Sequence, residues 1–230
     1  MNPKIIVALD YPDIEKATTT AQKLDPSVCR VKVGKELFTA SGPVVIEKLM
    51  KLGFDVFLDL KFHDIPNTAS RACRSAASSG IWMLNVHASG GRKMLDLCRE
   101  AIDKCVHSPL LIGVTVLTSI GDAEILELGV NSGVREQVMR LANLSNECGL
   151  DGIVCSPSDM IVLRREFPTN FSFVTPGVRP LGSPKHDQVR IMSPSEALRA
   201  GADYLVIGRP ITESKDPAMA LTEINNSLFN

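Results

Sequence analysis

The sequence lacks the features that would assign it to several broad classes of protein. Its six cysteines (Cys29, Cys73, Cys98, Cys105, Cys148 and Cys155) form no CxxC pair and mostly sit inside apolar runs, which argues against a disulfide framework or a zinc site and for buried, reduced thiols. No apolar run approaches the length of a membrane span, and the one that follows Met1-Asn2-Pro3-Lys4 stops at Asp10, too soon for a signal peptide. A cytoplasmic setting is expected. Charge is also balanced. A net charge of −1 offers no basic excess for nucleic acid or an anionic membrane surface, although a local basic pocket for a small anion need not show in the total. Neither GxGxxG nor GxxxxGK[ST] follows the first apolar run, so the usual dinucleotide and nucleotide phosphate loops are missing.

What is present is alternation. Apolar, branched runs begin at Ile5, Arg30, Phe54, Trp82, Leu110, Gly152, Phe171 and Tyr204, and an amphipathic helical stretch follows each. Continuous Val/Ile/Leu strands between helices indicate a parallel sheet covered on its faces. Eight units of about 29 residues fit a single-domain (β/α)8 TIM barrel spanning 1–230, with a doubly wound open sheet as the alternative. No low-complexity linker divides the chain. In a barrel, polar residues just past the strand ends gather at one mouth, and Asp10, Lys32, Asp59, Lys61, His87, Thr118, Arg179 and Arg209 lie near such ends.

The densest chemistry is in Asp59-Leu60-Lys61-Phe62-His63-Asp64-Ile65-Pro66-Asn67-Thr68, between a strand read at 54–58 and a helix read at 69–79. Strand alternation points Asp59 and Lys61 the same way, while Asp64 lies beyond the strand on the turn. An ammonium among carboxylates keeps its proton, which suits it to donate that proton or to stabilise an anion. The plainer alternative is an ion pair that closes a strand, with Pro66 starting a helix. Lys32, inside an apolar run, needs a counter-charge, and Asp59 is the nearest candidate; Asp10 could equally cap the first helix. The Gly/Pro-rich segment 176–188 reads as a candidate lid after strand seven. Gly208-Arg209 after strand eight, with Arg179 and Gln188 from that segment, reads as a phosphate site, against a tight glycine turn with a solvated arginine. The histidines lack metal-ligand spacing and are read as structural or surface residues.

Taken together, these stretches resemble the orotidine 5′-phosphate decarboxylase family almost end to end. The resemblance rests on Val7-Ala8-Leu9-Asp10, Val31-Lys32-Val33-Gly34, Asp59 through Thr68, Val86-His87-Ala88-Ser89-Gly90-Gly91 and Thr115-Val116-Leu117-Thr118-Ser119. It continues in Thr175-Pro176-Gly177-Val178-Arg179-Pro180, Asp187-Gln188 and Ile207-Gly208-Arg209-Pro210. The Asp-x-Lys-x-x-Asp segment alone is similar to metal-dependent sugar-phosphate enzymes of the same suprafamily, but those carry an acidic metal ligand after strand two, where this chain has Lys32.

The resemblance implies cofactor-free and metal-free decarboxylation of orotidine 5′-monophosphate to uridine 5′-monophosphate, the last step of de novo pyrimidine nucleotide synthesis. It implies that Lys61 protonates C6, Asp59 lies against the substrate carboxylate, and Asp10 and Lys32 bind the ribose. Thr118, with Ser119, would meet the pyrimidine edge, and Arg179, Gln188, Gly208 and Arg209 would hold the phosphate. Asp64, Ile65 and Thr68 would reach the site of a partner subunit, making a homodimer with shared active sites.

Overall fold

In the computed structural model, which describes residues 2–180 and 192–228, eight parallel strands pair in chain order and β8 closes on β1. They are β1 (Ile5–Ala8), β2 (Cys29–Gly34), β3 (Val56–Phe62), β4 (Met83–His87), β5 (Leu110–Val114), β6 (Gly152–Val154), β7 (Ser172–Thr175) and β8 (Tyr204–Ile207). This is the (β/α)8 barrel expected from the alternation, and it excludes the open sheet.

The strands read as unbroken apolar runs because both of their faces are covered. Side chains alternate along a strand. In β1, Ile5 and Val7 join the outer core against the helices, whereas Ile6 points inward and packs with Phe57, Met83, Ile112, Val174 and Tyr204. That inner cluster fills the barrel axis with side chains. Arg30 closes the end where the strands begin. Its guanidinium lies 4.1 Å from the Trp82 ring centroid, and its Nε donates to Asp55 Oδ2 at 3.1 Å.

The inward period of two then sets the upper layer. After Arg30 comes Lys32, after Phe57 comes Asp59, and after Met83 comes Asn85, so polar groups stand directly above an apolar floor.

Three local readings need correction. The third strand does not stop at Leu58 but continues through Phe62, and its helix starts at Pro66 rather than Ala69. Pro66 takes the first helical turn, where its missing N–H is not needed. A short helix, Lys35–Ser41, follows β2 directly. Another, Arg209–Thr212, begins where a simple loop was expected, so Arg209 is a helical residue capped by Gly208. The first part of the candidate lid, residues 176–180, is irregular apart from an isolated bridge between Val178 and Met192; Gln188, Asp187 and His186 lie outside the described residues. The described cysteines are all free thiols, and five of the six are buried. Among the described residues no helix is long and apolar enough to cross a membrane.

Candidate active site

A cavity of about 270 Å³ opens at the C-terminal ends of the strands. Its floor is apolar, formed by Phe57, Val114, Val154, Val174 and Val206, with Cys155 beside them. Burial pushes the Cys155 thiol up to about 12, which leaves it inert as a nucleophile at neutral pH. Polar groups line the walls: Asp10, Lys32, Asp59 and Lys61 on one side, Thr118 farther round, and Arg179, Gly208 and Arg209 from the last two units.

The charged wall is a chain of contacts. Lys32 Nζ donates to Asp10 Oδ1 at 2.8 Å and lies 3.5 Å from Asp59 Oδ2; Lys61 Nζ donates to Asp59 Oδ1 at 2.6 Å. Burial disfavours charge on both Lys32 and Asp59. For Asp59, the charges of Lys32 and Lys61 and hydrogen bonds from Lys61 and Asn85 outweigh that cost and hold the carboxyl below its usual range. For Lys32, the carboxylates of Asp59 and Asp10 likewise outweigh burial and hold the ammonium above its usual range. Lys32 and Asp59 are therefore both held in their charged forms at neutral pH. Gly34 leaves room for this pairing, since a Cβ there would sit 3.1 Å from Lys32 Nζ and 3.2 Å from Asp10 Oδ1.

Alternation alone does not explain how Lys61 meets Asp59. Leu58 pairs with Leu84 and Phe62 with Val86, so residues 59–61 all stand opposite the single residue Asn85. This bulge gives Lys61 a φ of 52°, the one positive φ at a described non-glycine residue. Its N–H donates to Asn85 Oδ1 at 2.8 Å, while Asn85 Nδ2 donates to Asp59 Oδ1 at 2.7 Å. Asn85 is fully buried and was not singled out by sequence reasoning; an amide inside the apolar run 82–86 was the available signal.

The opposite wall is built from β7 and β8. Arg179 is buried, and its backbone N–H donates to Met192 O at 3.0 Å, which fixes the start of the loop. Gly208 lies over β1, where a Cβ would make an ordinary contact with Ala8 Cβ at 3.4 Å, and Arg209 follows it into the cavity lining.

Asp64, Ile65, Thr68 and Ser119 do not line the cavity of their own chain. Asp64 Oδ1 instead accepts from Ile65 N–H at 2.7 Å, and Ile65 is 69% exposed. His63 and His87 pack with their rings tilted by 39° and centroids 5.3 Å apart; burial, then the charges of His63, Lys35 and Lys61, lower the pKa of His87. No group of three or more His, Cys, Asp or Glu residues among the described residues is placed to hold a metal ion.

Residues 3–224 match the model of the orotidine 5′-phosphate decarboxylase / HUMPS family. The chain belongs to that family. Orotidine 5′-phosphate decarboxylase from Actinobacillus succinogenes is 53% identical over 231 residues, covering 100% of both chains. The enzyme of that name from Hydrogenovibrio crunogenus is 52% identical over 227 residues, covering 99% of this chain and 96% of the relative. Among solved structures, orotidine 5′-phosphate decarboxylase from Lactobacillus acidophilus superposes with a TM-score of 0.89 at 36% identity, covering 100% of each chain. Membership of the orotidine 5′-phosphate decarboxylase family makes the protein an enzyme, a carbon–carbon lyase.

Proposed function

We propose that the enzyme decarboxylates orotidine 5′-monophosphate to uridine 5′-monophosphate, the final step of pyrimidine nucleotide synthesis, without metal or organic cofactor. The observation that carries this reading is Asp59 held between two lysines on one wall of a cavity with an apolar floor, with two arginines on the far wall.

The chemistry asks for that arrangement. When the bond from C6 to the carboxylate breaks, carbon dioxide departs and the electron pair stays on C6 in the ring plane, where the ring delocalises it poorly. A fixed ammonium beside C6 stabilises the developing charge more than it stabilises the substrate, so it lowers the barrier. Lys61 then transfers an Nζ proton to C6 and regains one from solvent. Asp59 fixes the ammonium and lies against the substrate carboxylate, and Lys32 with Asp10 binds the ribose hydroxyls. Thr118 and Ser119 meet the pyrimidine edge; Arg179, Gln188, Gly208 and Arg209 hold the phosphate. Lys32 occupies the place where metal-dependent sugar-phosphate enzymes carry an acidic ligand, which weighs against that reading.

Asp64, Ile65 and Thr68 belong, in this proposal, to the site of a partner subunit in a homodimer in the cytoplasm. Support comes from the exposed apolar side chain of Ile65 and from the position of all three outside their own cavity. Incubation with orotidine 5′-monophosphate should release uridine 5′-monophosphate and carbon dioxide one for one. Tight binding of either nucleotide without turnover would instead mark a nucleotide sensor.

A further inference from the structure

We propose that Asn85 is a positioning residue for the Asp59–Lys61 pair, its carboxamide holding the lysine backbone in the left-handed region and the aspartate carboxylate in register beneath the ammonium. The inference rests on the assignment of Asp59 and Lys61 as the reacting pair.

The geometry uses both ends of one amide. Its oxygen accepts the Lys61 N–H at 2.8 Å, the group that the bulge withdraws from the strand ladder. Its nitrogen donates at 2.7 Å to Asp59 Oδ1, the same oxygen that Lys61 Nζ contacts at 2.6 Å. A buried amide that satisfies two partners is worth most where each would otherwise be left unpaired. A left-handed conformation is unfavourable for lysine and persists only when its surroundings impose it. Asn85 is the surrounding group that does so. It is 0% exposed and does not line the cavity, so it acts through its two partners rather than on substrate.

Two substitutions separate this role from a structural one. Asn85→Ala removes both bonds, and should lower kcat at least about tenfold while KM changes less than about threefold, because the ribose and phosphate contacts are elsewhere. Asn85→Asp keeps the acceptor for Lys61 N–H but sets a second carboxyl against Asp59. Two adjacent carboxyls cannot both ionise easily, so the new group holds a proton to higher pH, and when protonated it donates to Asp59 as the amide did. The charged or titratable groups around it are Asp59 and Lys61 on β3, Lys32 on β2, and His87 with its neighbour His63. The last two are common to both proteins and cancel in the ratio. Relative to wild type, the activity of Asn85→Asp should therefore rise at least about fivefold between about pH 9 and about pH 6.

A third measurement does not depend on turnover. Hydrogen exchange of the Lys61 amide should be protected in wild type, at least about tenfold faster in Asn85→Ala, and still slowed in Asn85→Asp. Absence of wild-type turnover would refute the proposed reaction and leave the exchange result to decide the role of Asn85. An Asn85→Asp profile parallel to wild type would overturn the positioning role. Unchanged Lys61 exchange in Asn85→Ala would do the same. If the alanine variant does not fold, the aspartate variant carries both tests.

Discussion

Lys61 meets Asp59 at 2.6 Å from a backbone with φ of 52°, so the shortest contact in the Asp10–Lys32–Asp59–Lys61 chain is made by the one described side-chain-bearing residue in the left-handed region. The contact and the strain belong together. Threading residues 59–61 against a single partner residue tips the lysine back over the carboxylate.

The strain gives a stability prediction. Glycine tolerates this conformation and alanine does not, so Lys61→Gly should be more stable than Lys61→Ala by about 1 kcal/mol, partly offset by the greater freedom of glycine in the unfolded chain. For a chain of this size that is roughly 2–4 °C in melting temperature. Equal melting temperatures would mean that the backbone has relaxed and stores no strain.

The ion chain also sets a pH window. Asp59 is held below its ordinary value, so its contribution is present above an unfolded value of about 3.9 and is lost as pH falls through the folded one. Lys32 is held above its ordinary value, so its contribution is complete below about 10.4 and is lost as pH rises through the folded one. Asp59→Asn should remove the acid-side loss and shrink the alkaline-side loss, read as the difference in unfolding free energy between wild type and variant across pH. A constant difference would contradict the coupling.

Subunit sharing can be tested by complementation. Lys61→Ala and Asp64→Ala should each be inactive alone, yet exchange of their subunits should create some sites that lack neither group. Verified mixed dimers without activity would show that each chain builds its own site.

At the far wall, Arg209→Ala removes a forked cation proposed to hold the phosphate. A charge-assisted hydrogen bond of this kind is worth about 1.5–3 kcal/mol, so kcat/KM should fall at least about tenfold. The nucleoside orotidine, which has no phosphate, should be turned over equally slowly by wild type and variant. A similar loss on both substrates would mean that Arg209 shapes the site in general.

The barrel was legible because each strand is buried on both faces and therefore reads as one apolar run. The cavity was legible for a related reason: ionisable residues at strand ends have one place to go once the barrel closes. Asp10, Lys32, Asp59, Lys61, Thr118, Arg179, Gly208 and Arg209 do converge on it. The bulge was not legible, because it shows only in the pairing of two strands: residues 59–61 of β3 face Asn85, which lies in the next strand and looks like an ordinary strand residue. The helix Lys35–Ser41 was missed because it is only seven residues long and starts directly from Gly34 with no side-chain cap.

The most direct test of the central claim is the initial rate of ultraviolet absorbance loss from orotidine 5′-monophosphate, measured for wild type and Lys61→Ala in the presence of excess chelator. The account predicts undiminished wild-type turnover and a loss of at least about a hundredfold in the variant, with its circular dichroism unchanged. Chelator-sensitive turnover, or a folded Lys61→Ala enzyme within tenfold of wild type, would contradict it.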